Sequence, residues 1–346
     1  MVSSCSPSAS SWTGAAELVT LDGSHLDLAG PAALATNPAT VAQARQWLAA
    51  LGCRPAQVQR LAEVPFLPIE FFKTQDVVTL TADDVWQPAL TFRSSGTTQQ
   101  QRSRHLVRDP QLYHQHAERI FEQQYGALTS WTFLALLPSY LEQGESSLVD
   151  MVEHFVRASG QPQQDAFFLR DHAALLAAMQ RAKQEQPGRR LMLIGVTYAL
   201  LDLLAAYPAH PALHLPDAVL ETGGMKGRRR EMIREELHAE LAAGFGQAVI
   251  HSEYGMTELL SQAYSPGHGR FWAPPALQVL LREPTDPFSP SFERTSGAIN
   301  VVDLANVDSC AFLETRDLGR RHPDGSFEVL GRLDNSDIRG CSQLAG

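Results

Sequence analysis

Lysine is nearly missing from this sequence. Only Lys73, Lys183 and Lys226 contribute to its 28 basic residues, so arginine supplies almost all of the positive charge. Asp and Glu number 38, leaving a formal net charge of −10. That balance disfavours general nucleic-acid binding, which depends on basic surface neutralising phosphates. No apolar run reaches the length of about 18 residues that a membrane-spanning helix needs. The N-terminal stretch "MVSSCSPSASSWTGAAE" has no basic region followed by an apolar core, so it does not read as a secretory signal. Cys5, Cys53, Cys310 and Cys341 are widely scattered, with no CxxC pair and no Cys/His cluster of the kind that holds zinc. These absences set the expectation of a reduced, cytoplasmic protein with neither a nucleic-acid partner nor a membrane span.

What is present is an ordinary globular composition, 44% hydrophobic and 19% charged over 346 residues, long enough to bury a substantial core. Residues 1–30 are Ser/Ala-rich and read as a flexible lead-in. Residues 31–52 have helical periodicity broken at Pro38, and "VPFLPIEFFKTQDVVTL" reads as an extended, buried crossing segment. Alternation then begins. "DPQLYHQHAERIFEQQYG" opens with Asp as cap and Pro at the first helical position and closes on Gly126. "WTFLALLPSY" is a short apolar run, hence a buried strand, and "SSLVDMVEHFVRASG" is helical again. The order continues through "RLMLIGV", "YALLDLLAAY", "DAVLETGG", "KGRRREMIREELHAELAAGFG" and "QAVIHSEYG". Strands alternating with long helices predict an α/β core over residues 31–270, with a mostly parallel sheet flanked by helices. Beyond it, Pro-rich texture and short strand-like segments predict a smaller β subdomain over 271–334, followed by a tail over 335–346.

Four loops carry candidate chemistry. In "RSSGTTQQQRSRHLVRD", Ser94, Ser95, Thr97 and Thr98 surround Gly96, so backbone amides and hydroxyls can converge on phosphate oxygens without a lysine. A polar turn between a strand and a helix fits the same composition. In "HSEYGMTELL", Tyr254 offers an aromatic face, Thr257 a hydroxyl for a phosphate oxygen and Glu258 a carboxylate for Mg²⁺. The alternative is a capping box, with Thr257 as cap and Glu258 a solvated first-turn residue. "LETGGMKGRRR" places Gly223 and Gly224 between a strand and a helix, suited to close approach by a flat ligand or simply to a tight turn. "LETRDLGRR" holds Asp317 in a turn flanked by arginines.

The four loops in this order resemble the adenylate-forming superfamily of acyl-CoA synthetases, aryl-CoA ligases and nonribosomal-peptide adenylation domains. Its Ser/Thr/Gly phosphate loop is similar to Ser94-Ser95-Gly96-Thr97-Thr98, and its adenine-side glycine loop to Gly223-Gly224-Met225. Its YGxTE motif is matched by Tyr254-Gly255-Met256-Thr257-Glu258. Its ribose-binding aspartate falls on Asp317, and its GRxD hinge on Gly331-Arg332-Leu333-Asp334. The match runs over roughly residues 60–342. Relatives of full length continue into a mobile C-terminal domain that supplies a lysine. Here "GRLDNSDIRGCSQLAG" carries no lysine and ends at Gly346, so that domain is expected to be absent. The ending, together with "VPFLPIEFFKTQDV", resembles the acyl-protein synthetase branch of the bacterial bioluminescence fatty-acid reductase system. Members of that branch carry an acyl thioester on a cysteine near the C-terminus, a position that Cys341 occupies.

The resemblance implies ATP and Mg²⁺ as cofactors and activation of a carboxylic acid, fatty by the branch, to acyl-AMP. It implies transfer to Cys341 and on to a partner such as an acyl reductase or carrier. Residues 94–98 would hold the β/γ-phosphates, Thr257 the α-phosphate, Glu258 the Mg²⁺, and Asp317 with Arg332 the ribose. Arg102, Arg104 and Lys226 are candidates to replace the missing lysine, although Lys226 also fits a helix-capping role. Arg339 is placed to lower the Cys341 pKa, and a tail cysteine with no role is the alternative. Direct transfer of acyl-AMP to coenzyme A or a carrier protein, and a nucleotide-binding scaffold without turnover, stand as competing readings.

Overall fold

A computed structural model of the chain describes residues 64–79, 86–95, 101–137, 145–223, 232–286, 289 and 293–333. Its centre is a five-stranded sheet in the order β4–β5–β6–β7–β8, comprising Trp131–Leu136, Arg190–Val196, Ala218–Thr222, His251–Tyr254 and Ala263–Ser265. Strands β4 to β7 run parallel, and β8 returns antiparallel at the edge. All six residues of β4 and all five of β6 are buried. Continuous apolar runs of this kind are what a parallel sheet covered on both faces requires.

The helices follow the expected signals. Helix α2 (Pro110–Tyr125), numbered after the single turn α1 (Phe71–Thr74), starts where the Asp109 side chain accepts from the backbone N–H groups of Gln111 and Leu112. It ends at Gly126, whose φ of +79° suits glycine. Helix α3 (Ser147–Ala158) is capped by Ser146. Helix α4 (His172–Glu185), capped by Asp171, lies between β4 and β5 in addition to the elements expected from sequence. Its apolar positions are largely alanines, which give a weak periodic signal. Helices α5 (Thr197–Ala206) and α6 (Arg234–Phe245) complete the crossovers.

A second sheet is antiparallel, in the order β10–β11–β12–β13–β9: Leu277–Arg282, Ser296–Asp303, Phe312–Arg321, Phe327–Arg332 and Arg270–Phe271. The short β1 (Leu67–Pro68) joins it, parallel to β12. Residues 64–79 bury Val64, Phe66, Leu67, Ile69, Phe72, Val77 and Val78, as expected of a crossing segment, although α1 interrupts the extended path and exposes Lys73 and Thr74. The α/β class with a smaller β portion is the one read from the sequence, and residues 31–52 and 334–346 lie outside the described residues.

The "RSSGTT" loop sits differently from the turn between strand and helix set against the phosphate-loop reading. Strands β2 (Leu90–Arg93) and β3 (Arg104–Val107) pair antiparallel, so the loop is the tip of a β-hairpin. "RHLV" is short and half basic, which hides it from a periodicity reading. No helix among the described residues is long and apolar enough to cross a membrane.

Candidate active site

A cavity of about 890 Å³ opens at the C-terminal edge of the parallel strands. Leu136, Val196, Thr222 and Glu253, each at the end of one of β4 to β7, contribute to its wall. Open parallel sheets place ligands at this edge because loops diverge there and leave a crevice. Leu136 and Leu137 at the end of β4, and Val196, Tyr198 and Ala199 at the end of β5 and just beyond it, give the wall an apolar part, whereas His251 is not in it.

The hairpin reaches this cavity. Its stem is closed by Ser94 N donating to Ser103 O at 3.1 Å and Ser103 N donating to the Ser94 hydroxyl at 2.9 Å. Ser95, Arg93 and Arg102 line the cavity, whereas Gly96, Thr97 and Thr98 lie outside the described residues. Glu145 meets Arg93 at 2.8 Å and Arg102 at 3.7 Å. These pairs are solvent-exposed and weak, so either arginine can exchange Glu145 for an anionic ligand at little cost. Arg104 instead turns to Asp76 at 2.7 Å and is not part of the wall. Arg170, which the sequence reading did not single out, lines the cavity as well.

Residues 254–258 form a turn at the end of β7, and no helix begins at Thr257. The capping-box alternative is thereby overturned: Glu258 is 5% exposed and not a solvated first-turn residue. Gly255, Met256 and Thr257 face the cavity. The Tyr254 ring is buried, with Phe271 and Phe327 edge-on to it at 6.0 and 5.7 Å. Its hydroxyl donates to Asp317 Oδ2 at 2.9 Å, linking the parallel sheet to the antiparallel one.

Thr257 is fixed from behind by His105 on β3, whose Nδ1 donates to the Thr257 carbonyl at 2.8 Å. That fixes the tautomer, so Nε2 accepts from the Ser309 hydroxyl at 3.0 Å. Burial lowers the His105 pKa to about 4, against the opposing effect of the Thr257 bond, so the ring is neutral near pH 7. Asn306 donates to the Glu258 carbonyl at 2.8 Å, and Asp303 accepts from the amides of Leu260 and Ser261. None of His105, Asp303 and Asn306 carries a motif; their roles come from contacts with residues far away in sequence.

Burial pushes the Glu258 carboxyl above its usual range, opposed by the Ser103 hydrogen bond and by Arg332 and Lys73. Asp317, on β12, is also pushed up by burial, while Tyr254 and Arg332 work against the rise. Arg332 Nε lies 3.8 Å from Asp317 Oδ1. Asp317 faces Arg332 in the β12–β13 register, just before an irregularity between Leu318 and Gly319. Gly223 follows β6 at φ +55° and lines the cavity. Gly224, Met225, Lys226 and Cys341 lie outside the described residues. Ser95, Gly223, Gly255, Met256 and Thr257 thus share one cavity, with Tyr254, Glu258, Asp317 and Arg332 linked around the turn that forms its wall.

A search of solved structures finds a luciferase-like enzyme from the nonluminescent Zophobas morio mealworm, 17% identical over 74% of this chain and 60% of that one, with a TM-score of 0.50. It also finds a long-chain-fatty-acid-CoA ligase from Archaeoglobus fulgidus, 12% identical over 77% of this chain and 55% of that one, with a TM-score of 0.54. The chain therefore spans less than two thirds of the length of either structure. Its fold is the adenylate-forming fold. A scan against protein-family models and a search of curated proteins found no match.

Proposed function

We propose that this protein activates a carboxylic acid with ATP, forming acyl-AMP and pyrophosphate. The observation that carries the reading is the convergence of Ser95, Gly223 and the 255–257 turn on one cavity at the parallel-strand edge. The substrate carboxylate attacks the α-phosphorus, and pyrophosphate leaves with the bonding electron pair. The barrier comes largely from bringing two anions together, so the protein contributes position and charge neutralisation. The 94–98 loop with Arg93 and Arg102 takes the β/γ-phosphates, and Thr257 takes an α-phosphate oxygen. Asp317 accepts from the ribose hydroxyls beside Arg332, and Gly223-Gly224-Met225 frames the adenine; the Tyr254 ring, packed against Phe271 and Phe327, supports Asp317 rather than offering the aromatic face expected of it. Arg102 and Lys226 are the cations that neutralise the charge on the phosphates.

Glu258 fits Mg²⁺. Its carboxyl is disfavoured as an anion by burial, and the Ser103 hydroxyl and its own backbone N–H only partly offset this, so a cation would relieve it. Mg²⁺ is commonly held by one carboxylate together with substrate phosphates, whose charge it neutralises. No group of three or more metal-ligating side chains occurs among the described residues.

In the second half-reaction the Cys341 thiolate attacks the acyl carbonyl, a thioester forms, and AMP departs with the anhydride electrons. The acyl group then passes to a partner, an acyl reductase or a carrier. Cys310 is a poor competitor, because burial pushes its thiol up to about 12. The resemblance points to a fatty acid, which Leu136, Leu137, Leu259 and Leu260 in the wall would suit.

The test is product analysis after incubation with ATP, Mg²⁺ and a panel of acids. Release of AMP and pyrophosphate, with a hydroxylamine-labile mass on the chain, supports both half-reactions. AMP release with coenzyme A as the required acceptor would favour direct ligation, and release of ADP would refute the reading.

A further inference from the structure

The segment around helix α1 carries one of the three lysines, Lys73, and the adenylation steps leave it unused. Ile69, Phe72 and Val77 anchor this segment in the core shared with Tyr254 and Leu259. Its polar contacts show what it lies against. At its start the Glu70 carboxylate pairs with Arg316, the residue before Asp317, and Ile69 N donates to Glu314 O at 3.1 Å. At its end Asp76 meets Arg104 of the hairpin at 2.7 Å. Between them the Phe72 ring stands edge-on to His105 at 5.4 Å, the same imidazole whose Nδ1 donates to the Thr257 carbonyl at 2.8 Å. Helix α1 therefore lies among the strand bearing Asp317, the hairpin bearing the Ser/Thr loop and the turn bearing Thr257.

Lys73 follows Phe72 directly. It is exposed, and it pairs with no carboxylate among the described residues. Lys183, by contrast, is engaged by Asp217. The field of Lys73 reaches the Glu258 carboxyl, where it joins Arg332 in opposing the effect of burial. Glu258 is buried, so it cannot come out to close an ion pair with an exposed ammonium. Arg316 and Arg104 already serve the carboxylates of the segment itself. What remains is a cation with a flexible stem and three donors, beside the turn where phosphate oxygens would gather.

A triphosphate at that turn brings several negative charges next to a buried carboxyl. Arg93 and Arg102 approach it from the hairpin, and both are shared with Glu145. Lys73 approaches from the opposite side, with no such competitor among the described residues. We propose that Lys73 is a further catalytic residue, whose ammonium binds the nucleotide triphosphate at the Thr257–Glu258 turn and neutralises charge there as pyrophosphate leaves. It stays protonated throughout and transfers no proton. The inference rests on reading this protein as an adenylating enzyme.

The test uses the full chain with K73Q and K73R, and K183Q as the control for loss of a lysine. Lys73 is exposed, so the fold should tolerate both of its substitutions. Calorimetry in EDTA measures binding of ATP and of adenosine without metal or turnover. K73Q should bind ATP about tenfold to a hundredfold more weakly, with adenosine binding unchanged, and K73R should recover part of the loss. In carboxylate-dependent ATP–pyrophosphate exchange, K73Q should lower kcat about tenfold to a hundredfold and leave the KM for the acid within about twofold. ATP binding by K73Q within about twofold of the wild type, equal loss of ATP and adenosine, or the same loss in K183Q would overturn the proposal. Selective loss of ATP binding in K73Q, with no exchange by the wild type for any acid, would uphold Lys73 as a triphosphate ligand while refuting adenylation. Exchange by the wild type that K73Q leaves unchanged would do the reverse.

Discussion

His105 and Thr257, 152 positions apart, are joined by a 2.8 Å hydrogen bond from the imidazole Nδ1 to the threonine carbonyl. The bond ties the hairpin bearing the Ser/Thr loop to the turn bearing Thr257, so the two proposed phosphate contacts are held in one frame. His105 is 1% exposed and packs edge-on against Phe72 at 5.4 Å. It touches no reacting atom and acts as a positioning residue. H105A should lower the exchange rate about tenfold to a hundredfold through misplacement of Thr257, with H105N recovering part of the loss. Steady-state kinetics at saturating ATP would show the drop in kcat.

The same histidine sets a pH dependence of stability. Its folded pKa, about 4, lies below the unfolded value of about 6.5. Between those values the unfolded chain binds more protons, so stability falls as pH falls. The contribution is fully present above pH 6.5 and is lost toward pH 4, amounting to about 2 kcal/mol between pH 7 and pH 5. Urea denaturation at the two pH values should show this loss, and H105N should reduce it.

Asp317 and Tyr254 give a nucleotide-side prediction. The Tyr254 hydroxyl already occupies one Asp317 oxygen, which orients the carboxylate for a ribose. D317A should raise the KM for ATP about tenfold or more, because two charge-assisted bonds are lost. Y254F should have a smaller effect in the same direction. Acid binding measured without nucleotide should be unchanged in both.

The two hairpin arginines should behave differently. Arg102 lines the cavity, whereas Arg104 is taken by Asp76. R102A should slow exchange about tenfold to a hundredfold through loss of charge neutralisation, while R104A should stay within about twofold, as expected of a surface pair. Equal effects would remove Arg102 from the machinery.

What the sequence made legible was local. Helix α2 announced itself through Asp109, Pro110 and Gly126, and β4 through six consecutive apolar residues, because capping and burial act over a few neighbours. The turn at Tyr254-Gly255-Met256-Thr257 and Asp317 could be named in advance, because each sits in a compact motif. His105 and Asp303 could not. His105 matters through Thr257, and Asp303 through amides 42 and 43 positions away. The hairpin flanking the Ser/Thr loop was not legible because its second strand is four residues long and begins with Arg104 and His105.

Carboxylate-dependent exchange of labelled pyrophosphate into ATP, measured on the full chain and on T257A, tests the central claim most directly. The prediction is exchange that requires an acid and Mg²⁺ and falls about a hundredfold or more in T257A, as for loss of one charge-stabilising contact. Exchange absent with every class of acid, or present and equal in T257A, would contradict it.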